Sequence, residues 1–157
     1  MSITRLQKFL LVLSIVLLST GFITTQLLTL SQDVSLSEWE QGVDGYIKAS
    51  QGQQETGEPI ALFFYTDWCE SCEALRKNVL ATHEMRNYLK NMYAVKINPE
   101  RGSMENKLAE EYGVIGYPTF FLLDTTSGRT EQIHKTYNVT PQQFIKQLEI
   151  AKAKLTS

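Results

Sequence analysis

Ile60-Ala61-Leu62-Phe63-Phe64-Tyr65-Thr66-Asp67-Trp68-Cys69-Glu70-Ser71-Cys72 is the stretch that decides the fold. Six apolar or aromatic residues run from Ile60 to Tyr65, with Gly57 and Pro59 upstream and polar residues downstream. That pattern belongs to a strand buried on both faces, which needs helices above and below. After Cys69 the chain turns polar and charged, with Leu75 and Val79 four apart, so it leaves the strand and enters a helix near the first cysteine. At a helix N-terminus, free backbone N–H groups and the positive end of the dipole stabilise an anion, here a thiolate. Cys69, capped by Trp68, is expected to be the exposed nucleophile. Cys72, one turn on, faces the same side from deeper in the fold and can resolve a mixed disulfide made at Cys69.

Two other readings of the C-x-x-C spacing stay open. A zinc site requires two further soft or imidazole ligands, and beyond the two cysteines the chain offers only His83 and His134, in no finger-like spacing. A purely structural bridge closing so short a loop constrains little of the unfolded chain.

The 157 residues, 43% hydrophobic and 20% charged, suffice for one domain with a sizeable core. The amino terminus departs from that composition. Arg5 and Lys8 precede Phe9 to Leu18, ten residues with no charge and Ser14 as their one polar side chain, and no acidic residue appears before Asp33. This is a positive region followed by an apolar one, as in a signal sequence. Apolar residues resume beyond Ser19-Thr20-Gly21, and the 22 residues from Phe9 to Leu30 match the ~20 that a helix needs to cross a bilayer. Residues 1–32 are therefore expected to be a signal peptide or, preferably, an uncleaved signal anchor, with residues 33–157 as the folded domain outside the cytoplasm.

Arg5 and Lys8 account for two of the 15 basic side chains, leaving 13 against 17 acidic ones. No basic stripe offers itself to nucleic acid. Both cysteines lie in one motif, so the pair is read as reactive rather than as a structural brace. The chemistry calls for no cofactor and no metal.

Along the chain, Ser35 with Glu38 resembles a capping box, and Trp39, Val43, Tyr46 and Ile47 follow at helical spacing, predicting a helix from about Leu36 to Ser50. Gln51 to Glu58, rich in Gly and Gln, reads as a loop. The cysteine helix breaks near Thr82, and Met85, Tyr88 and Leu89 form a second short stripe. Met92 to Ile97 is a strand, ended by Asn98 to Gly102. Ser103 is placed to cap a helix carrying Leu108 and Tyr112, closed by Gly113. The alternation predicts a β-α-β unit with parallel neighbours. Pro118 belongs in a loop or at the start of the strand Phe120 to Asp124, and Arg129 to Tyr137 returns as an antiparallel edge strand. Thr140-Pro141-Gln142-Gln143 starts a closing helix whose stripe is Phe144, Leu148, Ala151 and Leu155.

Over roughly residues 36 to 155 the chain resembles the thioredoxin superfamily. Trp68-Cys69-Glu70-Ser71-Cys72 after a buried strand is similar to the family's active-site motif, and Tyr112-Gly113-Val114-Ile115-Gly116-Tyr117-Pro118-Thr119 to its cis-proline loop. With Phe64-Tyr65-Thr66 ahead of Asp67-Trp68-Cys69, the chain looks most like the periplasmic thioredoxin-like domain of transmembrane disulfide reductases. The resemblance implies an α/β fold, a mixed sheet flanked by helices. It also implies a cis Pro118 beside Cys69, where the backbone of Tyr117 pairs with an extended substrate strand. Two departures stand out. Phe63 occupies the position, six residues before the first cysteine, where cytoplasmic thioredoxins carry a buried Asp that assists the second cysteine. Glu70-Ser71 replaces Gly-Pro. Lys96 falls where the family has a lysine near that Asp, and equally fits a solvated strand-end residue.

The resulting expectation is a protein-disulfide oxidoreductase that reduces substrates through a Cys69/Cys72 relay, binds them at Trp68, Tyr117 and Pro118, and is tuned by Asp67, Glu70, Ser71 and Lys96. Asp67, Glu70 and Glu73 crowd negative charge around Cys69, which raises its thiol pKa and favours the disulfide, making the dithiol a reductant. Its potential is expected nearer thioredoxin's, about −270 mV, than the dedicated oxidant's, about −120 mV. Expected partners are a protein disulfide substrate, a membrane electron donor and the inner membrane through the N-terminal segment. No dimerisation segment is evident, and a monomer is expected. The rival readings are a binding or assembly module using the cis-proline groove, and a disulfide oxidase or isomerase.

Overall fold

The computed structural model describes residue 36 and residues 38–157; the Phe9 to Leu30 stretch and Ser35, hence the proposed anchor and capping box, lie outside them. No helix among the described residues is long and apolar enough to cross a membrane. The elements run β1 (Glu40–Gln41), α1 (Gly42–Thr56), β2 (Ile60–Phe64), α2 (Glu70–Leu75), a π-helical turn (Arg76–Leu80), α3 (His83–Leu89) and β3 (Tyr93–Ile97). A 3-10 turn (Pro99–Arg101), α4 (Ser103–Glu111), β4 (Thr119–Asp124), β5 (Arg129–Ile133) and α5 (Pro141–Leu155) complete the chain.

The strands form one mixed sheet in the order β1-β3-β2-β4-β5. β3 lies parallel to both β1 and β2, whereas β4 runs antiparallel to β2 and β5 to β4. The expected β-α-β unit is therefore present, with β2 at the centre and all five of its residues buried. Alternation along β2 and β4 divides the core into two layers. Ala61, Phe63, Phe120 and Leu122 face a layer holding both cysteines, Leu75, Met85 and the α5 stripe Phe144, Leu148, Ala151 and Leu155. Ile60, Leu62, Phe64, Phe121 and Leu123 face the other, with Ala49 of α1 and Leu108 and Ala109 of α4.

Four sequence expectations are corrected. The first helix starts at Gly42 rather than Leu36, because Glu40 and Gln41 pair in parallel with Val95 and Lys96 of β3. Trp39 consequently belongs to the cysteine layer, edge-on to Phe63 and Phe120, while Val43 and Tyr46 pack in the opposite layer. That helix also continues through Gln51 to Thr56, read from sequence as loop. Gly52 is needed there because a Cβ would meet the Tyr93 ring at 2.5 Å. Gln53 is buried, donating to the Leu123 carbonyl and accepting from the Thr125 backbone N–H and hydroxyl. Gly57, at φ 75°, closes the helix in the left-handed conformation.

Ser103 is the first residue of α4 rather than its cap, which is Gly102 in extended backbone. β5 ends at Ile133, and Thr136 leaves the sheet to donate its hydroxyl to the Pro118 carbonyl. Elsewhere the signals hold: Thr82 caps α3, and Thr140 and Gln143 form a reciprocal capping box at the start of α5.

Candidate functional site

The buried strand β2 delivers the chain to a tight turn in which the Cys69 N–H donates to the Thr66 carbonyl. Cys69 then caps α2, its sulfur accepting from the Cys72 backbone N–H at 3.1 Å. The Ser71 hydroxyl lies 3.4 Å from the same sulfur. Cys69 and Cys72 are joined in a disulfide with their Cα atoms 5.2 Å apart. In this form Cys69 is 6% exposed and Cys72 3%, so the expectation of an exposed first cysteine is corrected: both sulfurs belong to the inner layer of the fold.

The neighbouring Trp68 is instead 68% exposed, and its ring meets that of Tyr117 edge-on at 6.3 Å. The Tyr117–Pro118 peptide bond is cis. Trp68 and Tyr117, expected as binding residues, thus meet although they come from segments some 50 residues apart in sequence, and Tyr117, which precedes Pro118, packs against the cluster that holds both cysteines. The Thr119 hydroxyl donates to the Gly116 carbonyl at 2.7 Å and Thr136 to that of Pro118, holding the loop from both ends. Ile115, in the same loop, is fully exposed.

The segment after β3 contributes three residues that sequence reading took for a strand end. Glu100 accepts the Trp68 indole N–H at 2.8 Å. Asn98 donates its side-chain amide to Asp67, and Arg101 donates to both Asp67 carboxylate oxygens at 3.1 and 3.2 Å. Together they grip the two residues preceding Cys69. No sequence signal could have found this grip, because its members are separated by 31 to 34 positions.

The charge pattern differs from the one expected. Asp67 is matched by Arg101, whose guanidinium pKa is pushed up chiefly by that bond. Glu73 is held by a two-pronged contact from Arg76 and by Lys77, and these bonds, Arg76's first, lower its carboxyl pKa to about 2. Of the three acids invoked around Cys69, Glu70 remains as the one for which no offsetting cation is seen among the described residues. The local field opposing a thiolate is correspondingly weaker than the sequence suggests.

Beneath the cysteines, Phe63 is buried and stacks on Tyr65 with ring centroids 5.5 Å apart. Burial raises the Tyr65 hydroxyl pKa, so that ring stays neutral. Lys96 is not a solvated strand end: it pairs in register with Phe63 on one side and Gln41 on the other, and its amine donates to the Leu36 carbonyl. It also lines a cavity of about 150 Å³ with Tyr65, Asn98, Arg101 and Glu105.

An apposed cysteine pair, a helix start and a cis-proline loop are the parts of a dithiol exchange site, and comparison with known proteins agrees. Residues 48–152 match the thioredoxin-like domain family. The thiol:disulfide interchange protein DsbD of Haemophilus ducreyi is 27% identical over 123 residues, which is 78% of this chain and 20% of that protein. The chloroplastic thioredoxin-like protein HCF164 of Oryza sativa is 35% identical over 68 residues, 43% of this chain and 25% of that protein. The chain thus spans about a fifth to a quarter of the length of these relatives. Among solved structures, the oxidised C-terminal domain of Neisseria meningitidis DsbD superposes with a TM-score of 0.59 at 24% identity, covering 68% of this chain and 91% of that one. The DsbH oxidoreductase gives 0.63 at 20% identity, covering 73% and 83%. These structural likenesses speak for the fold. With its five-stranded mixed sheet, its Cys69–Cys72 pair and the matching region from residue 48 to 152, the chain belongs to the thioredoxin-like family.

Proposed function

We propose that this protein is a thiol-disulfide oxidoreductase that reduces protein disulfides outside the cytoplasm. The observation that carries this reading is the Cys69–Cys72 disulfide at the start of α2, set beside the cis Tyr117–Pro118 loop through the Trp68–Tyr117 contact. In the dithiol form, the Cys69 thiolate attacks one sulfur of a substrate disulfide and expels the other as a thiolate. Cys72 then attacks Cys69, the mixed disulfide breaks, and the second substrate sulfur departs as a thiol. The substrate is reduced by two electrons and the protein is oxidised. An extended substrate pairs with the backbone of Tyr117, and Trp68 covers the reacting sulfurs.

Exchange chemistry is supported by kinship with the thiol:disulfide interchange proteins, and the reductive direction by the charge of Glu70 at the first position of α2, for which no offsetting cation is seen among the described residues. The contributions assigned to Asp67 and Glu73 are offset by their cations. Outside the cytoplasm a dithiol must be recharged, which calls for a membrane protein passing electrons outward. Residues 1–32 act as a signal anchor that holds a monomeric domain, residues 33–157, beside that donor at the inner membrane. Ser71 and Lys96 tune the pair, Ser71 through its contact with the Cys69 sulfur.

Replacing Cys72 with Ala tests the relay: covalent substrate complexes at Cys69 accumulate and are identified by mass spectrometry. An alkylatable Cys69 that traps nothing overturns it. A second reading, a binding module, is favoured by the exposed Trp68 and Ile115 around the groove. A double Cys-to-Ser variant that keeps full biological activity selects that reading.

A further inference from the structure

The mixed-disulfide mechanism just proposed passes through a state in which Cys72 is a free thiol about to become a nucleophile. Its surroundings are poor for that task. Cys72 belongs to a cluster with Trp39, Phe63, Leu75 and Phe120, and a sulfur charged in such surroundings without a donor is strongly disfavoured. Three of the partly buried aromatic side chains packed against that cluster can titrate, Tyr65, Tyr88 and Tyr117; burial raises the first two, leaving them neutral, and Glu149 acts on Tyr88 in the same direction. Lys96 lies in register with Phe63, and its amine donates to the Leu36 carbonyl.

One polar atom in this corner is unaccounted for. Thr66 is 2% exposed, and its hydroxyl is the one buried side-chain oxygen or nitrogen among the described residues without a hydrogen-bond partner. Thr66 lies one hydrogen bond and one disulfide away from Cys72: its carbonyl accepts the Cys69 N–H at 3.3 Å, and Cys69 is bonded to Cys72. The Cys69 sulfur already accepts from the Cys72 N–H and contacts Ser71. An unpaired buried hydroxyl is costly, and its use in another state of the molecule, such as a change of redox form, is one reason for a fold to keep it. The sulfurs are the groups in this turn whose hydrogen-bonding capacity changes between disulfide and dithiol.

We propose that the Thr66 hydroxyl is the hydrogen-bond partner of Cys72 when the disulfide is open, donating to its sulfur as negative charge develops there, at a site where Phe63 places no acid. In resolution the Cys72 sulfur bonds to the Cys69 sulfur, the bond from Cys69 to the substrate breaks, and the proton of Cys72 leaves with the substrate thiol. Thr66 keeps its own proton throughout. It stabilises charge and does not act as a base.

The inference rests on the exchange reading, and its test uses chemical redox buffers so that the two can fail separately. In the full chain, Thr66→Val removes the hydroxyl at constant shape and Thr66→Ser retains it. The valine variant is expected to raise the thermal midpoint of the oxidised form, to lower that of the reduced form, and to shift the glutathione equilibrium about tenfold toward the disulfide. For a two-electron couple that is about 30 mV more negative. In a Cys69→Ala background, valine is expected to move the pH profile of Cys72 alkylation about one unit upward, with serine at the wild-type position. Equal changes in both redox forms, with an unaltered glutathione equilibrium and Cys72 profile, overturn the proposal, as does a serine variant that behaves like valine. Should valine prevent folding, Thr66→Ala against Thr66→Ser carries the same comparison. Failure of the Cys72→Ala trap alongside a persisting Thr66 effect removes the reductase reading and leaves this one standing.

Discussion

The indole N–H of Trp68 donates to the carboxylate of Glu100 at 2.8 Å, so the aromatic ring beside the reactive disulfide is positioned by a residue 32 places further along the chain. Trp68 is largely exposed, and without this bond its ring is free to sample other rotamers. Glu100→Ala is expected to cost about 1 kcal/mol of ring positioning. That appears as about a fivefold rise in KM for a protein disulfide, while alkylation of Cys69 in the dithiol form by a small reagent does not slow. Glu100→Gln, which keeps an acceptor oxygen, restores most of the loss. Steady-state kinetics with both variants reads the difference.

Arg101 is the cation that matches Asp67, two residues before Cys69. Arg101→Ala removes that positive charge and leaves Asp67 facing the cysteine turn unopposed, which disfavours the thiolate. The Cys69 pKa rises. Because the pair is exposed, the shift is modest, about half a unit. The pH dependence of iodoacetamide alkylation of the reduced protein measures it, and the glutathione equilibrium moves toward the disulfide.

Glu73 supplies a pH signature. Its folded-state pKa is depressed from 4.5 to about 2, mainly by the Arg76 bond. A carboxyl with a depressed folded pKa contributes stability that is present above the unfolded value and is lost as pH falls through the folded one. The thermal midpoints of wild type and Glu73→Gln should differ by a constant amount above about pH 5 and converge as the pH approaches 2. Half-exposure of the carboxylate keeps that difference small.

Gln53 separates folding from chemistry. It satisfies a carbonyl, an amide and a hydroxyl at the β4 end remote from the cysteines. Gln53→Ala leaves these groups short of partners in a buried place and is expected to lower unfolding stability by about 2–3 kcal/mol. Cys69 alkylation and the redox equilibrium remain at wild-type values. Denaturant unfolding checks the first and a thiol assay the second.

Much of this architecture could be read from local pattern. The continuous apolar run of β2, the glycine after α4 and the capping box of α5 each act over a few residues, so sequence shows them directly. The cysteine pair and the Tyr117–Pro118 loop were legible as motifs, and the structure brings them together. What sequence concealed depends on distant partners. Glu40 and Gln41 look like the start of a helix until β3 is there to pair with them. Gly52 looks like a helix breaker until the Tyr93 ring occupies the space a side chain would need. The clasp of Asn98, Glu100 and Arg101 on Asp67 and Trp68 changed the charge balance around Cys69 in a way that counting acids along the chain could not anticipate, whereas the matching of Glu73 by Arg76 and Lys77 is local helical spacing that the sequence does carry.

The two margins of the sheet bear on how such a protein coexists with the chains it meets. β1 is two residues long, and β5 presents Arg129, Thr130, Glu131 and Gln132, with Glu131 tied to Lys154 of α5. A stub at one border and a charged rim at the other give a foreign strand little to lengthen. Visiting backbone is thereby steered away from runaway fibre growth, a safeguard suited to a chain proposed to exchange sulfur bonds with other proteins.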